Sequence, residues 1–384
     1  MQDDLFGGPP APPPSPAKKT PTPEQDARAD GPDAPAAPAS APSPRRTGVH
    51  PAPGHDDLRA LAAALPPRLR MGTSSWTYPG WKGLVWEGDH SEATLSKQGL
   101  PVYAQHPLLR TVSIDRSFYR PLTVSQYERY ASQVPDDFRF VVKAPSLVTD
   151  ALVRAEDGRG REPNPAFLSP DLARSEFVEP ALQGLGHKLG VLVFQLSPLP
   201  LAQLDRLPLL LERLRAMLLA QPTLAPLAPD GVIAVEVRDP EWLTPAFAAV
   251  LREAGATYCL GLHAKMPALK DQLPVLRALW PGPLVCRWNL HPVHGPYGYE
   301  DAEKLYEPYD RLHHPDEETR SELAAVISGM TGRGQNAFVT ISNHAEGSAP
   351  HTVLGLARAV AAASGHATPG ADASAPVESA GKAA

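Results

Sequence analysis

The sequence predicts a single parallel (β/α)8 barrel, an α/β fold, preceded by a disordered arm rich in proline and alanine. Three observations point to it. Eight short apolar runs alternate with helical patterns across about 300 residues, the size of one such barrel. Most of the runs are near-continuously apolar, as strands covered on both faces must be. Each run also ends in polar residues, at the end where barrels carry their chemistry. An open doubly wound sheet is the alternative, but no Gly-x-Gly-x-x-Gly follows the first run.

The elements follow in order. Asp56 and Asp57 suit the start of a short helix over 58–65, stopped by Pro66 and Pro67. Strands are expected at 69–74, 111–116, 138–142, 190–196, 232–237, 257–262, 284–289 and 337–342. The helical patterns between and after them cover 92–106, 124–132, 175–185, 204–219, 245–254, 267–280, 317–328 and 350–363.

The chain has 384 residues, and its 46 prolines are about 12% of it, far above the usual ~5%. Seventeen prolines and fourteen alanines fall in residues 1–67, with Phe6 the single aromatic there. Such a stretch buries too little apolar surface to offset its ordering entropy, so residues 1–67 and the tail 366–384 read as disordered. The barrel then occupies 68–365 and holds all six tryptophans.

Net charge is −6 overall, and the barrel segment carries 29 basic against 32 acidic residues. This excludes a strongly basic nucleic-acid coat. Two cysteines, Cys259 and Cys286, exclude a disulfide scaffold and a Cys-rich zinc module and read as core thiols. No signal peptide is readable and no apolar segment is long enough to span a membrane, so the expected location is cytoplasmic.

Six blocks in order carry a resemblance. They are Gly72-Thr73-Ser74-Ser75-Trp76-Thr77-Tyr78-Pro79-Gly80-Trp81, Asp115-Arg116-Ser117-Phe118-Tyr119, Phe140-Val141-Val142-Lys143, Phe194-Gln195-Leu196, Val235-Glu236-Val237-Arg238-Asp239-Pro240 with Trp242, and Ser342-Asn343. Over about 72–360 the chain resembles the domain of unknown function 72 family, also called YecE-like. The resemblance implies a TIM-type barrel and no established activity. The chain departs from the family pattern at Ser113, where glutamate is common, at Arg287-Trp288-Asn289, and at Ser342, where the family has a first asparagine.

The polar strand ends supply the candidate site. Glu236 and Arg238 share one parity on a strand and so point the same way, a candidate acid/base and anion clamp or else an internal ion pair. Lys143 is a candidate Schiff-base or electrostatic lysine, or the partner of Glu236. Asp115 reads equally as a base or as an anchor for the loop after it. Lys143, Glu236 and Asp115 are therefore the catalytic candidates. Trp76, Tyr119, Gln195, Arg238, Arg287, Asn289 and Asn343 are the ligand-binding candidates. The expected ligand is small and polar or anionic, like a phosphate or a sugar.

Ser348 suits an N-cap and Pro350 the first helical turn, which predicts an anion site at the barrel mouth beside Arg287. His291 and His294, with His263 and Glu236, have spacing compatible with a metal, but a polar loop with ring stacking explains them as well, and no metal or cofactor is assigned. Trp76, Tyr78, Trp81 and Trp86 form either a stacking surface or a self-packed plug. The charged segment 152–169 has the length of a lid. Gln2, Leu5 and Phe6 resemble the Gln-x-x-Leu-Phe peptide that docks bacterial proteins on the DNA sliding clamp, which makes that clamp a candidate partner and a nucleic-acid-associated protein the alternative function.

Overall fold

A computed structural model of the chain describes residues 48–154 and 160–365. The segment Gln2–Phe6, expected to dock on the sliding clamp, the arm up to residue 47 and the tail from 366 lie outside the described residues.

Eight parallel strands close into a barrel in sequence order. They are β1 (Leu69–Thr73), β2 (Thr111–Ile114), β3 (Arg139–Lys143), β4 (Leu189–Gln195), β5 (Val232–Glu236), β6 (Thr257–Leu262), β7 (Leu284–Trp288) and β8 (Ala337–Ile341). β8 pairs with β1 and so closes the ring. The main helices are α1 (Glu92–Tyr103), α2 (Val124–Ala131), α3 (Glu179–Leu185, entered through a π turn at Arg174–Val178), α4 (Leu207–Leu219), α5 (Pro245–Glu253), α6 (Leu269–Ala278), α7 (Glu317–Thr331) and α8 (Ala349–Gly365). Each expected strand is present within a residue or two of its expected ends.

Residue parity divides the sheet into two apolar compartments. Phe140, Val142, Phe194, Val235, Tyr258, Leu260, Cys286 and Trp288 face outward into the large core beneath the helices. Val141, Val191, Val193, Ala234, Cys259, Val285 and Phe338 fill the barrel interior. Along β3, β4, β5 and β7 the next inward position toward the carboxyl end is Lys143, Gln195, Glu236 and Arg287. The interior is thus apolar below and charged above.

One close approach requires glycine. A Cβ on Gly72 would sit 1.7 Å from the carbonyl oxygen of Thr111, its partner across the β1–β2 ladder. The Tyr103 hydroxyl uses the space, donating to Thr111 O at 2.8 Å and accepting from Thr73 N at 2.9 Å.

Composition misplaces one boundary. Residues 48–67, assigned to the disordered arm, are part of the packed structure. His50–Pro51 pairs antiparallel with Trp86–Glu87, Ala52 is buried, and Leu58, Leu61 and Leu65 lean on the core around the helix Asp56–Ala63. Proline content obscured this, because the few apolar side chains that matter sit between the prolines.

Two elements were not foreseen. After β3, Leu152–Arg154 pairs with Gly160–Pro163 as an antiparallel hairpin. After β7, a helix spans Tyr299–Tyr306. No helix among the described residues is long and apolar enough to cross a membrane.

Candidate functional site

A cavity of about 90 Å3 opens at the carboxyl ends of the strands. Its wall includes Asp115, Lys143, Gln195, Arg238, Arg287 and Asn289, six of the ten residues singled out from sequence. Tyr299 and Glu303 complete it from the helix Tyr299–Tyr306, with Ser74, Tyr78, Ser342 and His344 at the rim. Sequence reading missed Tyr299 and Glu303, because His-Pro-Val-His-Gly-Pro-Tyr-Gly reads as loop.

Glu236 lies beneath the cavity and is fully buried. Its carboxylate takes Arg238 Nη2 at 2.7 Å on one oxygen and Arg287 Nη1 at 2.8 Å on the other. Asn289 Nδ2 adds a bond at 3.2 Å. Burial pushes the Glu236 carboxyl up, but the Arg238 and Arg287 guanidiniums outweigh burial and hold it below the usual range. So engaged, the carboxylate matches the internal ion pair that its strand parity also allowed. Its place is that of a counter-ion.

Arg287 spans the floor. It donates to Gln195 Oε1 at 2.8 Å and Asp115 Oδ2 at 2.8 Å as well as to Glu236. Burial acts to lower its pKa, and Asp115 and Glu236 more than offset this. Ser113, at the position where the family commonly has glutamate, hydrogen-bonds Asp115 instead. Arg238 Nη2 also reaches Gln195 at 3.1 Å, and its Nε has no acceptor among the described residues.

Asp115 and Glu236 are thus each engaged by a guanidinium, and the buried Lys143 lies on the same cavity wall. Its Nζ lies 3.8 Å from the centroid of the Phe118 ring. Burial pushes its pKa down to about 7; Asp115 and Glu236 pull upward, while Arg287 and Arg238 add to the push. An amine near 7 is half neutral at physiological pH, the state that base or nucleophile chemistry requires. Burial and Arg238 hold His263 down to about 3, so it stays neutral.

Three sequence candidates lie elsewhere. Trp76 and Tyr119 line a neighbouring groove with Arg116, Arg120 and Tyr130. Tyr119 is 51% exposed there, whereas Trp76 is buried. Asn343 is fully buried; its Oδ1 accepts from Trp81 Nε1 at 3.2 Å and from Ala349 N at 2.9 Å. It fastens the β1 loop to the start of α8.

The same bond occupies the helix start where the anion site was expected. The Ala349 N–H is taken by Asn343, Ser348 and Ala349 are buried, and Arg287 is committed to carboxylates. His291 and His294 do not converge with Glu236 on a point. His291 Nδ1 accepts from Val293 N, and His294 Nε2 and His314 Nδ1 each sit 2.7 Å from the Tyr306 hydroxyl. These contacts pin the helix Tyr299–Tyr306 over the cavity. The aromatic loop is a self-packed plug, with Trp81 and Trp86 stacked at 5.6 Å and buried. Cys259 is a core thiol whose Sγ lies 3.9 Å from Glu236 Oε2.

Fold and cavity together define a (β/α)8 barrel protein whose charged recess lies at the carboxyl ends of its strands. Residues 70–376 match the family model described as protein of unknown function DUF72, and the chain belongs to this family. A DUF72 family protein of Enterococcus faecalis is similar at 17% identity, over 76% of this chain and 95% of that one, with a TM-score of 0.50, a likeness that shows the fold alone. A DUF72 family protein of Thermotoga maritima aligns at 19% identity, over 76% of this chain and 96% of that one, with a TM-score of 0.44. No curated protein matches the chain.

Proposed function

We propose that the barrel binds one small polar or anionic molecule at the carboxyl face and acts on it by acid–base chemistry, with Lys143 as the reacting group. The observation that carries this reading is the buried Lys143 amine on the wall of the cavity. Asp115 and Glu236 are held by the Arg287 and Arg238 guanidiniums, and Lys143 stands beside them with its face to the recess. Buried charge of this density is costly unless every member is partnered, and a structural role would be served as well by apolar packing.

Arg238 Nε, Gln195 and Asn289 are the groups that would receive ligand oxygens, with Asp115 beside Lys143 to exchange a proton. The cavity, about 90 Å3 and open at its mouth, has room for a small polar or anionic molecule such as a phosphate or a short carboxylate. Two free, buried thiols suit the cytoplasm.

The test is a panel of phosphate and two- to four-carbon carboxylates, followed by thermal unfolding and calorimetry. At least one should raise the Tm at millimolar levels, and Lys143→Met or Arg238→Gln should remove the effect. If no member of the panel shifts the unfolding of the wild-type chain, the reading is wrong.

A further inference from the structure

We infer that Lys143 is an imine-forming lysine and that its partner is a 2-oxo carboxylate of two or three carbons. The inference rests on the ligand-binding reading above and gives it a substrate class. Four features of the cavity converge on it. The amine lines a small recess together with Arg238, whose Nε lacks an acceptor among the described residues. A carboxylate would supply that acceptor, and because Lys143 lines the same cavity, a 2-oxo group next to that carboxylate is the carbonyl it would meet. The Phe118 ring, 3.8 Å from Nζ, is a face that stabilises a cation once the nitrogen becomes an iminium. Asp115 and the Tyr299 hydroxyl, which hydrogen-bonds with Arg238, stand on the same wall to pass protons. Burial raises the Tyr299 phenol against the pull of Arg238, so it keeps its proton for donation.

The step balances without a further reagent. The neutral amine attacks the carbonyl carbon and a C–N bond forms. The carbonyl oxygen then leaves as water, carrying one hydrogen from Nζ and one proton from solvent. The product is an iminium cation, which takes the place of the ammonium over Phe118. Nothing is oxidised or reduced.

The experiment uses the full chain with glyoxylate or pyruvate and sodium cyanoborohydride at pH 7, read by intact mass and peptide mapping. The expected result is one reduced adduct on Lys143, formed at least about tenfold faster than on any other lysine, because a lysine of ordinary pKa is almost wholly protonated at that pH. Lys143→Met should lose it. Mapping in the wild-type chain decides the question even if that variant fails to fold. No adduct, or adducts spread evenly over surface lysines, overturns the inference. Lactate, which has the carboxylate but no carbonyl, separates the two readings in calorimetry. Binding of lactate or pyruvate without trapping sinks the imine and leaves the cavity reading standing, whereas absence of both binding and trapping sinks both.

Discussion

Arg287 Nη1 donates to Glu236 Oε2 at 2.8 Å inside the barrel, where both side chains are almost wholly shielded from water. The same guanidinium holds Asp115 with its other arm. Glu236 therefore organises the cavity from below: it orients Arg238 and Arg287, and through Arg287 it sets Asp115.

Glu236→Gln should cost about 3–5 kcal/mol in urea unfolding, since it strips the counter-charge from two buried guanidiniums. A loss below about 1 kcal/mol would show that the two arginines find other partners.

The Lys143 amine should titrate near pH 7, measured as the midpoint of acetylation at that residue. Its folded pKa, about 7, lies below the ordinary 10.5, so between those values the unfolded chain binds more protons. Its contribution to stability therefore rises with pH across that window. Lys143→Met should flatten this slope. A midpoint above about 9 would place the amine in an ion pair.

Asn343→Ala should destabilise by about 1–2 kcal/mol through the lost Ala349 and Trp81 bonds, with cavity ligands bound unchanged. Loss of ligand affinity at intact stability would return Asn343 to the binding site.

Gly72→Ala should cost at least about 3 kcal/mol, because the new methyl meets the Thr111 carbonyl and displaces the Tyr103 hydroxyl. Circular dichroism melting checks it, and a Tm equal to that of the parent would show that β1 and β2 can part without penalty.

The strands were legible because burial on both faces writes itself as unbroken apolar runs such as Val191-Leu192-Val193-Phe194. The charged floor was legible by parity, as with Glu236 and Arg238. Parity also carried a signal that went unread. Phe338, Thr340 and Ser342 alternate inward, so Asn343 points the other way, into the packing beneath α8. The helix Tyr299–Tyr306 was hidden by glycine and proline on its approach, although Tyr299, Ala302 and Tyr306 keep a helical spacing. Polarity at a strand end says that a side chain is unusual there; it does not say whether its partner is a ligand or the next loop.

The cavity has two kinds of wall, and they are free to change at different rates. Its charged floor is carried by the staves of the barrel, where a substitution disturbs several buried ions at once. Its roof, with Tyr299 and Glu303, hangs on one short helix pinned through Tyr306 to His294 and His314. Exchange of segment 292–316 between family members would then alter the roof while the charged floor stays in place. A barrel built in this way can keep its floor and vary what covers it.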